Sequence, residues 1–256
     1  MPEGPEVTLM VEQLARKFKG AKLKDIDIIS GRYVRHGVPK KWRAFHNDLP
    51  SKIVAFDNKG KMVWLQLGNG WYVKIVPAMT GHLELEPDKH ARLKFETSKG
   101  DFYLNDMRNF GSIHFLSGKE FKRELEELGP FPLAKGKLDV DEVLERFRRK
   151  SQKRTVADVM LEQDVMAGVG NYIRSDALYT AGISPLRKLN SLTDAELKKI
   201  IRASAKVMRD SYNRQKKGGP LYYPNISFKI YRRHDVATNK TKIKGRHVWW
   251  HRVKQH

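Results

Sequence analysis

Hydrophobic periodicity changes twice along this chain, and that change limits the architectures open to it. Val7, Met10, Val11, Leu14 and Phe18 fall on one face of a helix, with Pro5 suited to its first turn and Gly20 to stop it. From Leu23 to about Phe115 the spacing shortens to that of strands. Ile53–Phe56, Met62–Leu67, Trp71–Val76, Ala91–Phe95, Phe102–Leu104 and Ser112–Phe115 are separated by turns such as Asp-Asn-Lys-Gly, Gly-Asn-Gly and Ser-Lys-Gly. Strands at this spacing predict an antiparallel sandwich or barrel. After a charged segment, Gly129-Pro130-Phe131-Pro132 and Gly136 mark a linker, and the helical period returns over Val140–Arg149, Thr155–Leu161 and Tyr172–Thr180. Thr193-Asp194-Ala195-Glu196 is a capping box, with Leu192 and Leu197 placed as a hydrophobic staple. It opens a helix carrying Leu197, Ile200, Ile201, Ser204 and Met208 on one face. The tail Tyr231–His256 turns β-like again around Thr238-Asn239-Lys240. There is no internal repeat and no low-complexity tract.

Composition narrows the function classes. The 256 residues suit about two domains, and a 40% hydrophobic content fills two modest cores. Fifty Lys and Arg against 29 Asp and Glu leave a net charge of +21. Such an excess calls for a polyanion, nucleic acid first and an anionic membrane surface second. No apolar run reaches the 18 or so residues of a membrane-spanning helix. The N-terminus lacks the basic-then-apolar pattern of a secretory signal, so a soluble, intracellular protein is expected. The absence of cysteine excludes disulfides, thiol catalysis and zinc sites that need thiolates. Nothing in the composition by itself points to an enzyme.

Two short segments carry chemistry. A Met followed by a small residue is normally trimmed, which exposes Pro2 as a secondary amine. An α-amino group titrates near pH 8, so a useful fraction is unprotonated at neutral pH and able to form a Schiff base with a carbonyl carbon. Glu3 and Glu6 lie close enough for acid–base help. The same residues also fit a frayed terminus whose acids favour the start of a helix. Met166-Ala167-Gly168-Val169-Gly170-Asn171 permits a tight turn, and the helix after it offers free N–H groups to a phosphate, although an ordinary helix connection has the same look.

Read together, the segments resemble the formamidopyrimidine-DNA glycosylase/endonuclease VIII family of base-excision repair enzymes over nearly the whole chain. The resemblance runs in order through Met1-Pro2-Glu3-Gly4-Pro5-Glu6-Val7, Lys59-Gly60-Lys61-Met62, Met79-Thr80-Gly81, Asp106-Met107-Arg108-Asn109-Phe110-Gly111, Leu128-Gly129-Pro130, and Gly168-Val169-Gly170-Asn171 with Ser175-Asp176. It implies catalytic roles for Pro2 as nucleophile, Glu3 as acid–base partner, Glu6 as second acid and Lys61 as the strand lysine on a phosphate beside the lesion. It implies DNA contacts by Lys61, Asn171 and Arg246, and by Met79, Arg108 and Phe110, which would fill the gap left by an extruded nucleotide. Flipping a base abandons stacking worth a few kcal/mol, which apolar wedges and a guanidinium partly replace.

Two departures stand out. The family's usual glutamate after Asn171 is Asp176 here, with the same charge and a shorter reach. The four-cysteine zinc finger of bacterial-type members is missing, and the tail resembles the zincless finger of some endonuclease VIII-like proteins. Within it, Lys244-Gly245-Arg246-His247-Val248-Trp249-Trp250 sets Arg246 as the phosphate-gripping finger arginine, while Trp249 and Trp250 pack the hairpin. His234, His247 and His251 do not make a zinc site. The expected class is α+β: an N-terminal helix and antiparallel β-sandwich (1–128), a linker (129–137), a helical helix-two-turn-helix domain (138–225) and a zincless β-hairpin finger (226–256). The expected protein is a monomeric, cofactor-free DNA glycosylase and abasic-site lyase acting on double-stranded DNA with oxidised bases or abasic sites. Oxidised pyrimidines and ring-opened purines are the expected lesions, because the segment between the last helix and the finger, with the rigid Pro220 and Pro224, looks short for covering 8-oxoguanine, although Tyr222 and Tyr223 offer a stacking surface that a longer loop would otherwise provide. The alternatives are a catalytically silent damaged-DNA-binding protein of the same fold and a basic ribosome-type RNA binder, which leaves the N-terminus unexplained.

Overall fold

A computed structural model of the chain describes residues 2–217, 227–233 and 238–256. The chain divides into two compact units: residues up to Pro2 with Glu6–Glu126, and Glu3–Pro5 with Glu127–His256.

Helix α1 (Gly4–Phe18) buries Val7, Met10, Val11, Leu14 and Phe18, the face expected from their spacing, and Gly20 at φ +83° turns the chain away from it. The antiparallel strands β1 (Lys22–Ile28), β2 (Ser51–Lys59), β3 (Met62–Leu67), β4 (Tyr72–Val76), β5 (Gly81–Glu84), β6 (Ala91–Thr97), β7 (Phe102–Asp106) and β8 (Ser112–Leu116) run in the order β5-β7-β6-β1-β2-β3-β4-β8. Only Lys22↔Lys52 and Leu23↔Ser51 join β1 to β2. On its other side β1 pairs with β6 from Leu23 to Ile28, with a register shift between Leu23 and Asp25. The short β1–β2 junction folds one hydrogen-bonded ladder into two four-stranded layers, the expected sandwich. Along β6, Ala91, Leu93, Phe95 and Thr97 are buried while Arg92, Lys94 and Glu96 are half-buried, the alternation that a strand with one face on a core requires. Phe102 joins the layers to the helix: its ring lies 4.4 Å from Phe95, 5.6 Å from Phe56 and 5.0 Å from Phe18.

Three helices are not evident from the sequence pattern. α2 (Arg32–His36) and α3 (Trp42–Asn47) are too short to show a period, and α4 (Gly118–Glu127) lies in the segment read as merely charged. Its start carries a capping box, with Glu120 accepting from the Ser117 N–H and hydroxyl, each at 2.8 Å.

In the second unit α5 (Val140–Arg148) is capped by Asp139, whose carboxylate accepts from the N–H groups of Asp141 and Glu142. It is followed by α6 (Val156–Val159), α7 (Asn171–Ala181), a 3-10 turn at Leu189–Ser191 and α8 (Asp194–Lys217). The Thr193–Glu196 capping box forms in both directions, at 2.8 Å and 3.2 Å, and Leu192 and Leu197 are buried beside it. α7 lies at the centre of this unit: Tyr172 through Leu178 are buried without interruption, against α8 and the last strand. That strand, β10 (Arg246–Trp250), pairs with β9 (Asn239–Ile243) through a turn at Lys244–Gly245, both at positive φ. The hairpin therefore turns later than Thr238-Asn239-Lys240: Asn239 and Lys240 lie in β9, and among the described residues of the tail only Lys244–Gly245 adopts the left-handed backbone of a two-residue turn. No described helix is long and apolar enough to cross a membrane.

Candidate functional site

Glu3 and Gly4 are not frayed. The Gly4 N–H donates to the Gly168 carbonyl at 3.0 Å, and the buried Glu3 carboxylate accepts from the N–H groups of Tyr172 at 2.9 Å and Ile173 at 3.3 Å. Those are first-turn groups of α7 with no partner inside the helix. The expectation that they stand free for a phosphate is thus overturned, since a carboxylate of the chain itself occupies them, favoured by the helix dipole. The glycines make this approach possible. A Cβ on Gly170 would lie 2.1 Å from the Glu3 carboxyl carbon, and Gly168, at φ +89°, has the Gly4 Cα and the Phe131 ring within 3.3 Å of where its own Cβ would be. Pro2, adjoining this anchor, is buried.

Asn171, the first residue of α7, donates through Nδ2 to the His247 carbonyl on β10 at 2.7 Å. Its Oδ1 accepts from Nη2 of Arg174, which also reaches the His247 carbonyl at 3.1 Å, while Nη1 donates to the Ala157 carbonyl at 3.1 Å. Arg174 is fully buried. Burial pushes its guanidinium down to about 10, Glu3 pulls it back up and Arg246 adds to the fall. Arg246 is exposed at the start of β10. At the hairpin turn, Lys244 Nζ meets the nearly buried Asp158 carboxylate at 2.9 Å, and Arg154 holds the same carboxylate at 2.7 Å.

Asp176 has reach enough for its place. Its carboxylate accepts from the backbone N–H groups of Lys229 at 2.8 Å and of Ile230 and Tyr231 at 3.0 Å, fastening the segment that leads to the hairpin. Burial raises its pKa, against the pull of those three bonds. Trp249 and Trp250 are buried, with Trp250 Nε1 donating to Thr241 Oγ1 at 3.0 Å. His234, Tyr222, Tyr223, Pro220 and Pro224 lie outside the described residues. Among the described residues no group of three His, Asp or Glu side chains could hold a metal ion.

In the first unit Met79, Arg108 and Phe110 form one exposed cluster. Arg108 Nη1 lies 3.3 Å from Met79 Sδ, and its guanidinium stands 4.7 Å from the centre of the Phe110 ring. Asp106, which is buried, braces this loop: one carboxylate oxygen bonds Thr80 Oγ1 and the other accepts from the Gly111 N–H at 2.7 Å. Arg92 grips the loop from behind, with Nε donating to the Asp106 carbonyl at 2.8 Å and Nη2 to that of Met107 at 3.4 Å. Lys61 is half-buried after the Gly60 turn of the β2–β3 hairpin. Asn58 Nδ2 ties that turn to α1 by bonds to the Gly60 carbonyl at 3.0 Å and Thr8 Oγ1 at 3.1 Å. Glu6 is buried in the first turn of the same helix.

The family model for the formamidopyrimidine-DNA glycosylase N-terminal domain matches residues 1–113, and that for the family's helix-two-turn-helix domain matches residues 128–220. The chain belongs to the formamidopyrimidine-DNA glycosylase family. That places it among the DNA glycosylases of base-excision repair. A formamidopyrimidine-DNA glycosylase of Carboxydothermus hydrogenoformans is 29% identical, over 81% of this chain and 76% of the relative. Another, of Prochlorococcus marinus, is 25% identical over 98% of each chain. In fold the chain is similar to the Lactococcus lactis formamidopyrimidine-DNA glycosylase solved non-covalently bound to DNA with an abasic site, at a TM-score of 0.82, 21% identity and 99% coverage of both chains. The same holds for a Lactococcus lactis enzyme complex with DNA containing an oxidised pyrimidine, at a TM-score of 0.82 and 20% identity.

Within this formamidopyrimidine-DNA glycosylase fold, sequence reasoning missed Arg174, Arg92 and the supporting part played by Asp106. Only burial and partners set these apart from the many other charged residues.

Proposed function

We propose that this protein excises oxidised bases from double-stranded DNA and then cleaves the strand at the abasic site. In this reading removal of Met1 frees the Pro2 amine. Its lone pair attacks the sugar carbon bearing the damaged base; the base leaves with the electrons of the glycosidic bond, and ring opening gives a Schiff base. Loss of the 3′ and then the 5′ phosphate follows by β,δ-elimination, with Glu3 moving protons and Glu6 as second acid. Lys61, Asn171 and Arg246 hold phosphates around the flipped nucleotide, and Met79, Arg108 and Phe110 fill the space it leaves. The catalytic domain spans 1–128, the helical domain 138–225 and the zincless finger 226–256, and the protein acts as a monomer without a cofactor.

The observation that carries this reading is the seating of Glu3 on the α7 N-terminus over a glycine that leaves it room. A terminus of no consequence has no use for a buried carboxylate with two backbone bonds. The lesion preference, oxidised pyrimidines and ring-opened purines over 8-oxoguanine, rests on the shortness of the segment before the finger, which lies partly outside the described residues.

Borohydride trapping tests both parts. Duplexes carrying an abasic site, thymine glycol, dihydrouracil, a ring-opened purine or 8-oxoguanine opposite cytosine are incubated with the protein and with a form extended ahead of Pro2. We expect a covalent adduct with the native terminus and none with the extended one. Strand cleavage by the extended form overturns the role of Pro2. Excision of 8-oxoguanine faster than every pyrimidine lesion overturns the substrate preference. Tight binding with no adduct on any duplex leaves the catalytically silent protein.

A further inference from the structure

Arg174 is a fully buried guanidinium with an unusual set of partners. Among the described residues, its Nη atoms donate only to uncharged oxygens, those of Asn171, His247 and Ala157, and its Nε has no hydrogen-bond partner. Among the described residues no carboxylate lies within ion-pair distance of it. Buried charges are ordinarily paired, because the interior offers little to replace water. Here the nearest charges are mixed: Glu3 and Asp158 attract it from a distance and Arg246 repels it.

The position of Arg174 on α7 gives this arrangement a purpose. Three residues beyond Asn171, it shares that residue's helix face. An arginine can only donate, so the Asn171 atom against it is Oδ1, and Nδ2 is turned to the His247 carbonyl. A flipped carboxamide would set NH2 against the guanidinium and oxygen against the carbonyl oxygen. One Nδ2 hydrogen is used on His247, and the second has no partner among the described residues. His247 follows Arg246 directly, so the contacts that orient Asn171 also hold the strand that carries the finger arginine.

We infer that Arg174 is a positioning residue for a DNA phosphate: it locks the Asn171 carboxamide in its donating orientation, ties it to the hairpin beside Arg246, and holds a buried positive charge that the phosphate neutralises. This rests on the reading of Asn171 and Arg246 as phosphate contacts. The guanidinium fork supplies the geometry and its charge supplies the attraction, so the two contributions are separable. Lysine keeps the charge without the fork, and methionine fills the volume with neither.

The test is equilibrium binding of the full chain to a duplex carrying a tetrahydrofuran abasic analogue, over a series of salt concentrations, with folding checked by circular dichroism. We expect Arg174→Met to bind about tenfold more weakly and to flatten the salt slope by roughly 0.9. Arg174→Lys should weaken binding by a smaller factor and keep the slope. Combined with Asn171→Ala, Arg174→Lys should cost little beyond the larger single loss, because both changes remove one arrangement. A role confined to stability instead lowers the melting temperature and leaves the slope and the coupling untouched. A folded Arg174→Met protein with wild-type affinity and slope overturns the inference, as do Arg174→Lys losses that multiply with those of Asn171→Ala. Where Arg174→Met does not fold, wild-type affinity in Arg174→Lys overturns it. Loss with Asn171→Ala but none with Arg174→Met sinks this inference alone, whereas no loss with Asn171→Ala removes the phosphate reading beneath it.

Discussion

Gly170 has an ordinary extended backbone, with φ −131° and ψ −156°, so alanine there strains nothing locally. What alanine meets is Glu3, with the carboxyl carbon at 2.1 Å and its two oxygens at 2.4 and 2.5 Å from the added Cβ. Only displacement of the carboxylate relieves that overlap, and it strips the acceptor from two buried N–H groups. We expect Gly170→Ala to lower stability by about 1–3 kcal/mol and to cut borohydride trapping sharply, read from thermal melts and adduct yield. A variant that melts and traps like wild type shows that Glu3 does not need its seat. At this scale the chain is only partly legible. Pro2, Glu3, Lys61 and Asn171 stand out because they sit in motifs whose spacing is recognisable. Arg174 does not, because one more arginine among 50 basic residues carries no mark until its burial is known. Asp106 is hidden for the same reason, since its bonds to Thr80 and Gly111 exist only once the loop is folded.

Among the elements, α8 displays its start in the sequence and adds a pH dependence. Glu196 is held down to about 2 by its bonds to Arg187 and then by the Thr193 N–H, against an ordinary 4.5. Because the folded value is the lower one, the stabilisation is complete above about pH 4.5 and drains away as pH falls toward 2. Glu196 is partly exposed to solvent, which screens the pair, so Glu196→Gln should cost only about 1 kcal/mol at neutral pH. The difference between variant and wild type should shrink between melts at pH 6 and pH 3. A constant difference assigns the effect to packing instead of charge. Glu120 falls to about 2 as well, through Lys41 and Ser117, so only the comparison with the variant isolates Glu196. The boxes at Thr193 and Ser117 have the same form, yet only the first was recognised, since a long apolar face follows it while α4 buries little beyond Phe121. Strands such as β6 are legible through alternation, whereas α2 and α3 end before a helical period can repeat.

On the scale of the whole molecule, charge and chain order matter most. With +21 on 256 residues, binding to undamaged duplex should follow counterion release. If some six to ten phosphates are contacted, affinity should fall by about 10³–10⁵ between 50 and 200 mM salt. Fluorescence anisotropy on an undamaged oligonucleotide checks this, and a flat response removes the electrostatic account. Part of the charge is visibly arrayed: Lys199, Arg202, Lys206 and Arg209 lie exposed along one side of α8. Chain order bears on Glu3 in another way. Its partners Tyr172 and Ile173 come 169 and 170 residues later. At about 5–20 residues per second on the ribosome, that separation amounts to roughly ten to thirty seconds of synthesis. Through that interval the start of the chain exists while the helix end it docks on has not been made. A polypeptide interrupted before Gly168 carries the proline but nothing to hold the residue beside it. The seat of Glu3 thus arrives late in translation, although Glu3 itself is among the first residues to be made.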